Sequence, residues 1–326
     1  VSQTEGPDRH LVDWVTRKAR KTMHNKATGP ATGPCDQDGI FEEARPRLLG
    51  LAYRILGSRA DAEDAVQDSY VKWRLADRSA IQNPASWLTT ICTRRCLDLL
   101  RSAHRSRVDY VGAWLPEPIH TPIDNEADAR LDLAGSLATA FLLMLERLTP
   151  KERAAYLLHE IFDVSYPEIA ETLGIQEAAG RKLVSRAKAS IDQAKVRHAT
   201  PVDRQEELLA AFQAAITEGV PGKLAMLLSD DIRLSADGGG KVPTVSGTLI
   251  GRAAVVAFAT ERLHDFWAAY DWTIADINGG RGIVLRLGGA TAATVSFAYD
   301  EEGKATDIFI MRNPDKLSRL DAVSIH

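Results

Sequence analysis

The stretch between Thr149 and Ile191 restricts this chain more than any other, because LTPKERAAYLLHEIFDVSYPEIAETLGIQEAAGRKLVSRAKASI carries three helix starts in close succession. Thr149 followed by Pro150 and Glu152 is a capping box with proline at the first helical position, where its missing N–H costs nothing. Ser165 and Glu168 repeat that spacing. The helix they open is short, with Ile169, Ala170 and Leu173 on its inner face. It stops at Gly174, a residue able to take the left-handed backbone that a tight turn between crossed helices needs. Ile175 plugs that turn. A third helix, from about Gln176, sets Arg181, Lys182, Arg186 and Lys188 around an apolar row of Leu183, Val184 and Ile191.

Between Gln176 and Arg197 six bases (Arg181, Lys182, Arg186, Lys188, Lys195, Arg197) outnumber two acids (Glu177, Asp192), a net plus four suited to a phosphate backbone. Crossed helices, a glycine turn and a basic third helix predict a helix-turn-helix whose last helix enters the major groove. Glu177, Arg181, Lys182, Ser185, Arg186 and Lys188 are its candidate DNA-binding residues. A plain helical hairpin with a solvated basic face is the alternative. Gly180 departs from the pattern: an apolar residue usually packs there, and a mid-helix glycine costs about 1 kcal/mol relative to alanine.

The chain has 326 residues, 26% charged and 45% hydrophobic, enough for two or three domains with real cores. It holds no run of eighteen apolar residues and no apolar signal core, so a soluble cytoplasmic protein without a membrane partner is expected. Cys35, Cys92 and Cys96 are too few and too unevenly placed for a disulfide framework. Cys92 and Cys96, one helical turn apart, read as buried thiols rather than half a metal site. Charge is uneven: residues 203 to 326 hold 12 Lys and Arg against 17 Asp and Glu. An acidic back third therefore follows a front part with local basic clusters.

Residues 1 to 36 read as a mobile arm, with a short basic helix around Leu11 to Lys21. Residues 37–110 then read as a helical bundle. Leu48, Leu51, Ala52 and Ile55 recur at helical spacing before Gly57, and Ser58 with Asp61 opens a second helix that puts Ala62, Ala65, Val66, Tyr70 and Trp73 on one side. Asp61, Asp64 and Asp68 share another face. Without a His or fourth ligand they suit a negative docking surface better than a metal or acid/base site, a merely solvated face being the alternative. After a polar loop, Asn83 caps and Pro84 starts a helix with Trp87, Leu88, Ile91, Leu97 and Leu100 for a core. Its other face shows Arg94, Arg95, Arg101, Arg105 and Arg107. Basic charge, an aromatic and a polar loop equip a single-strand reader, whereas a basic surface over a buried tryptophan is the plainer reading.

LAYRILGSRADAEDAVQDSYVKW, NPASWLTTICTRRCLDLLR and LTPKERAAYLLHEIFDVSYPEIAETLGI together resemble regions 2 and 4 of a bacterial extracytoplasmic-function sigma factor. The resemblance implies that Asp61, Asp64 and Asp68 dock on the beta-prime clamp helices of core RNA polymerase, with the beta subunit as a further contact. It implies that Asn83, Trp87, Arg94, Arg95 and Arg101 melt and read the minus-ten element, Asn83 near a flipped base. The helix from Glu177 to Lys188 would read the minus-thirty-five element, placing region 4 at 139–197.

Between the two regions, residues 111–138 form a linker. Pro116, Pro118 and Pro122 forbid a continuous helix, and Trp114 and Leu115 sit in extended chain like anchors for a groove. In sigma factors the linker threads polymerase channels, and the element Trp114, Leu115, Pro116, Glu117, Pro118 resembles a subgroup with a C-terminal extension; an ordinary linker is the alternative.

Residues 203–326 place helices first and alternating runs afterwards (IRLSA, DWTIADI, GIVLRL, ATVSFAY, TDIFIMR), an α+β unit expected to have antiparallel strands. This arrangement resembles a SnoaL-like domain of the NTF-two-like superfamily, a cone with an interior pocket. Asp237 to Pro243 (DGGGKVP) and Asn313, Pro314, Asp315, Lys316, Leu317 resemble elements of the extended subgroup. DGGG is not followed by a helix, so Asp237, Gly238, Gly239 and Gly240 read as a flexible strand connection rather than a phosphate cradle. If functional, the glycines and Lys241 would contact the linker or polymerase. Enzymes of the superfamily use an Asp, His or Tyr in the cone, for which His264, Asp265, Tyr270 and Asp271 are candidates, but no pair emerges from spacing. The chain thus reads as a multidomain sigma factor, two all-α domains followed by the cone, without cofactor or covalent chemistry, regulated by the cone directly or through a small-molecule ligand. A ligand-controlled helix-turn-helix regulator and a DNA-tethered enzyme are the alternatives.

Overall fold

Helices fill the front of the chain and strands its last third in the structure, a computed structural model that describes residues 37–108, 110–120, 136–192 and 200–321. The expected arm with its helix and Cys35, the linker's Pro122, and Lys195 and Arg197 lie outside the described residues, as do the side chains of Arg105 and Arg107. Helix α1 (Gln37–Leu56) ends at Gly57 and α2 (Arg59–Leu75) begins on Ser58, whose hydroxyl accepts from the Asp61 N–H at 3.2 Å. Helix α3 (Pro84–Val108) starts on Asn83, whose Oδ1 accepts from the Ser86 N–H. Helix α4 (Thr139–Leu145) precedes α5 (Pro150–Tyr156), which runs into a π-helical turn over Leu157–Ile161. Both expected capping boxes form, the second opening α6 (Tyr166–Leu173). Gly174 then turns left-handed at φ 61° and ψ 48°, and α7 (Glu177–Asp192) follows.

The two helical parts share one apolar core. Leu48, Ile55, Trp73 and Leu88 from the first pack in one cluster with Phe141, Tyr156 and Ile169 from the second, and Cys92 and Cys96 are buried within it as thiols. Each such fully buried large side chain contributes about 1.5–3 kcal/mol. Their union holds the helix-turn-helix against the first bundle.

The third part contains α8 (Val202–Thr217), α9 (Gly222–Leu227) and an arm built from α10 (Arg252–Ala257), a π-helical turn over Phe258–Leu263 and α11 (His264–Trp267). One six-stranded sheet in the order β2-β1-β6-β5-β4-β3 completes it: β1 (Leu228–Asp237), β2 (Leu249–Ile250), β3 (Asp271–Ile277), β4 (Gly280–Leu287), β5 (Ala290–Tyr299) and β6 (Ala305–Met311). The α+β class holds, with one correction to the expected antiparallel order. β1 pairs parallel with β6, because the helical arm and four strands intervene before the chain returns beside β1. The NPDKL segment opens a last helix, α12 (Pro314–Asp321).

Strand periodicity divides this sheet's surroundings. Ile308 and Ile310 face Phe212 and Trp267 of the domain's own helices, whereas Phe309 and Met311 face the linker's Leu115 and Leu317 of α12. In β1, Leu234 and Ala236 belong to the first face, which sends Asp237 to the second.

Candidate functional site

The helix expected to read the upstream element stands open. Glu177, Arg181, Lys182, Ser185, Arg186 and Lys188 are all exposed on α7, while Gly180, Val184, Ala187 and Ile191 are buried against the core. Gly180 therefore does not prevent packing. A Cβ there would meet Ile169 at 3.8 Å and Ile175 at 4.0 Å, ordinary contact distances. Arg181 is held by Glu177 at 2.6 Å and lies 4.3 Å over the Tyr166 ring, and Lys188 pairs with Glu160 at 3.2 Å. Lys182 and Arg186 have no ion pair among the described residues. Among the described residues two cations thus have no ion pair and two are preoriented.

The helix expected to read the downstream element is engaged internally. Arg94 donates from Nε to the Thr172 carbonyl at 3.0 Å and from Nη2 to the Glu171 carbonyl at 2.8 Å, so it caps the C-terminal end of α6. Thr90 shares a hydrogen bond with Thr172, and Arg47 donates to the Phe162 carbonyl at 2.7 Å. Arg95 pairs with Asp68 at 2.6 Å, joining a residue expected to read DNA to one expected to meet polymerase. Asp64 is exposed, Asp61 half-buried. Arg101 is held by Asp98 of its own helix. Trp87 is half-buried with its ring 5.7 Å from that of Trp73, so it packs on the bundle rather than standing out as a stacking platform. Asn83 is exposed and lines a groove of about 590 Å³ whose other wall includes Asp163, Glu168 and Thr172 of the helix-turn-helix.

Between the bundle and the sheet the linker is clasped. The DGGG segment is ordered, which corrects the reading of a flexible connection: Asp237 is fully buried and receives four donors, the Tyr110 hydroxyl at 2.6 Å, the Leu115 N–H at 2.9 Å, Lys316 Nζ at 2.8 Å and the Gly239 N–H at 3.0 Å. A carboxylate can be buried there because its acceptor sites are filled and a cation is paired to it. Burial, with the carboxylate beside it, raises the Tyr110 phenol above its ordinary value. Asn313 Nδ2 donates to the same phenol oxygen. Gly239, at φ 62°, leaves no room for a side chain, since a Cβ would run into the Asn313 amide. Gly240 lies against the linker's Val111, as expected of a glycine in contact with the linker, and a Cβ on Gly238 would strike the Val242 carbonyl. Lys241 instead pairs with Asp315 at 2.6 Å.

The next linker residues turn toward the bundle. Leu115 is buried under the sheet, and Trp114 lies against Gly57 with Lys316 Nζ 4.5 Å from its ring. Pro116 and Pro118 are buried as well. Buried Glu117 accepts from the N–H groups of Arg59 (2.8 Å) and Ala60 (3.4 Å) at the start of α2, where carboxylates suit the helix dipole. Its N–H donates to the Gly57 carbonyl and its carbonyl accepts from Tyr53 Oη at 2.6 Å. Burial nonetheless raises the Glu117 carboxyl, with those backbone donors opposing.

Sequence reasoning missed Tyr53, Asn278 and Tyr110 of this clasp. Asn278, in the β3–β4 turn at φ 51°, accepts from the Ile119 N–H and donates to Tyr53 Oη and the Leu137 carbonyl. Its Asn-Gly pair signals a hairpin turn, and that signal hides a second use of the side chain. Tyr110 reads simply as an aromatic in a polar stretch. Neither turn chemistry nor periodicity pairs it with Asp237, 127 positions away.

In the sheet domain, His264 Nδ1 bonds the Ile216 carbonyl, and Asp265 and Asp271 are exposed. None of His264, Asp265, Tyr270 and Asp271 lines the cavity between the helical arm and the sheet, which Phe258, Leu263, Trp267 and Ile310 do. Among the described residues no cluster of His, Cys, Asp or Glu fits a metal, and no helix is long and apolar enough to cross a membrane.

A helix-turn-helix with an open basic helix, a bundle with a second basic helix and a linker between them define a two-part promoter reader. Sigma-70 region 2 matches residues 40–106 and Sigma-70 region 4 matches residues 138–191. The ECF RNA polymerase sigma factor SigJ of Mycobacterium tuberculosis is 34% identical over 296 residues, covering 85% of this chain and 92% of that protein. The probable ECF sigma factor SigI of the same species is 29% identical, with 85% and 93% covered. The crystal structure of M. tuberculosis SigJ superposes with a TM-score of 0.67 at 32% identity, covering 86% of this chain and 98% of that one. The chain belongs to the extracytoplasmic-function sigma factors, which are transcription initiation factors and not enzymes.

Proposed function

We propose that this sigma factor recruits core RNA polymerase to a bipartite promoter, that the conformation described is its resting form, and that the C-terminal domain restrains it by holding the linker. The Asp237 carboxylate, occupied by Tyr110 and Leu115 of the linker, carries this reading. Minus-ten and minus-thirty-five elements lie roughly 25 base pairs apart, about 85 Å of duplex at 3.4 Å per step. Here Arg94 of one reader touches the helix-turn-helix itself. Reading both elements at once therefore requires the regions to part and the linker to leave its clasp. Asp61, Asp64 and Asp68 are the proposed contact with the beta-prime clamp helices, the beta subunit meeting region 4. Lys182, Ser185 and Arg186 face the upstream element with Glu177, Arg181 and Lys188 around them, and Asn83 and Arg94 meet the opened strand. The C-terminal cavity takes a small ligand, and the setting is cytoplasmic. The proposed boundaries are 37–110, 111–138, 139–197 and 203–326.

Run-off transcription with purified core polymerase on a promoter library tests it, using the full chain, Asp237→Asn in the full chain and a version ending near Ala199. Start-site-specific transcripts from the full chain, increased by Asp237→Asn, are expected. Fewer transcripts from the variant would overturn the restraint, and no initiation by any version alongside tight duplex binding would favour a polymerase-independent regulator.

A further inference from the structure

The C-terminal domain contains a cavity of about 260 Å³ between its helical arm, the ends of β1 and β6, and the loop at Pro243–Val245. Phe258, Leu263, Trp267 and Ile310 supply apolar walls. Among the described residues the charged ones lining it are Arg262 and Arg312, and no acid does so, although residues 203 to 326 carry 17 acids against 12 bases. Arg262 is exposed, with no ion pair among the described residues. Arg312 is half-buried and donates from Nη1 to the Pro243 carbonyl at 2.6 Å, while its Nε is buried with no hydrogen-bond partner among the described residues. A buried donor left unmade is unfavourable until something accepts from it, and a planar carboxylate matches the guanidinium fork. Phe266, 58% exposed, adds an aromatic side to the same cavity.

We infer that this cavity binds a small apolar molecule bearing one carboxylate, its hydrocarbon or aromatic part against Trp267 and Phe258 and its carboxylate on Arg312 and Arg262. This inference deepens the ligand-binding part of the function proposed above. The volume, just below the ~300–1,000 Å³ of drug-sized sites, selects a compact ligand. Paired apolar walls and cations exclude a bare inorganic anion, which would leave the aromatic surface uncovered, and a neutral hydrocarbon, which would leave Arg312 Nε unpaired. Arg312 also ties the cavity to the clasp: its own N–H donates to the Asp237 carbonyl at 2.7 Å, and the following residue, Asn313, bonds Tyr110.

Isothermal titration of the full chain with phenylpropionate, phenylpropanol and phenylpropylamine tests the inference. Phenylpropionate is expected to bind, the alcohol about ten-fold or more weakly for want of a charge-assisted hydrogen bond, and the amine least. Arg262→Gln, on an exposed side chain, should leave the fold intact and reduce affinity for the acid several-fold with the alcohol unchanged; Arg312→Gln should reduce it further. Equal affinities for acid and alcohol, an acid affinity insensitive to both variants, or no acid binding at millimolar concentration would each overturn it. Restraint of transcription by the clasp would survive such a failure, since Asp237→Asn reads it without any ligand.

Discussion

The two helices proposed to read DNA differ in what surrounds them. Helix α7 presents its cations to solvent, two of them without an ion pair among the described residues, while α3 has Arg94 on the helix-turn-helix, Arg95 on Asp68 and Arg101 on Asp98. Exposed, a basic face is available to a duplex as soon as one arrives. Engaged, it must first give up hydrogen bonds to protein. The contrast teaches that charge count does not measure readiness, because the closed pose sequesters one reader and leaves the other. The clasp supports that pose from the outside: Asp237 and Asn278 hold the linker on the sheet, and Glu117 holds it on α2.

The largest break in this arrangement is expected from Asp237→Ala. It leaves Lys316, Tyr110 and the Leu115 N–H without their acceptor, and loss of one partner of a buried pair costs about 3–5 kcal/mol. Urea unfolding of the full chain, with proteolysis at the linker as a second readout, should show the loss; an unchanged midpoint with an intact linker would remove the clasp from the account. Arg186→Ala should weaken binding to an upstream-element duplex by about 1–3 kcal/mol if the side chain reads a base edge, and uniformly on all duplexes if it meets phosphate. Titrating specific and random duplexes at one salt concentration separates the two. Arg94→Ala, by contrast, should leave duplex binding by the free chain unchanged and lower stability by about 1 kcal/mol, because it removes a tie between the regions and no free cation. A loss of duplex binding equal to that of Arg186→Ala would erase the difference between the readers.

Gly180→Ala should sharpen the upstream reader, stabilising the chain by up to about 1 kcal/mol, since the added methyl meets only ordinary contacts and the helix gains propensity. Thermal unfolding of the variant checks it, and a lower midpoint would mean that the two helices need the close approach. The smallest effect belongs to Glu117→Gln. Burial raises the carboxyl in the folded chain, so protonation favours the native state there and this group's contribution to stability grows as pH falls from its folded pKa toward its unfolded value of about 4.3. The glutamine variant should therefore lie within about 1 kcal/mol of the parent at neutral pH and lose that pH dependence; stability curves from pH 4 to 7 on both proteins decide.

How much of this was legible depended on the distance over which each signal acts. Thr149 with Glu152, Ser165 with Glu168 and Gly174 act within one helical turn, so capping, turn and basic helix could be read from neighbouring residues alone. Alternation in the last third gave the four later strands for the same reason, whereas β1 begins earlier than IRLSA, at Leu228, and its parallel partner lies beyond four other strands. DGGG misled because glycines signal freedom locally. Here they provide close approach, leaving room for the Asn313 amide and for Val111.

The sequence by itself determined the helices, their caps, the two basic faces and the α+β character of the last third, all of which follow from periodicity and local hydrogen bonding. Only the tertiary structure decided which basic face is more open, that the two helical regions share a core, and that one carboxylate binds two distant segments, the linker and the last helix. Those outcomes depend on partners more than 200 positions apart, such as Asn278 and the Tyr53 hydroxyl across 225 positions, and no local propensity encodes which distant groups will fill a buried acceptor.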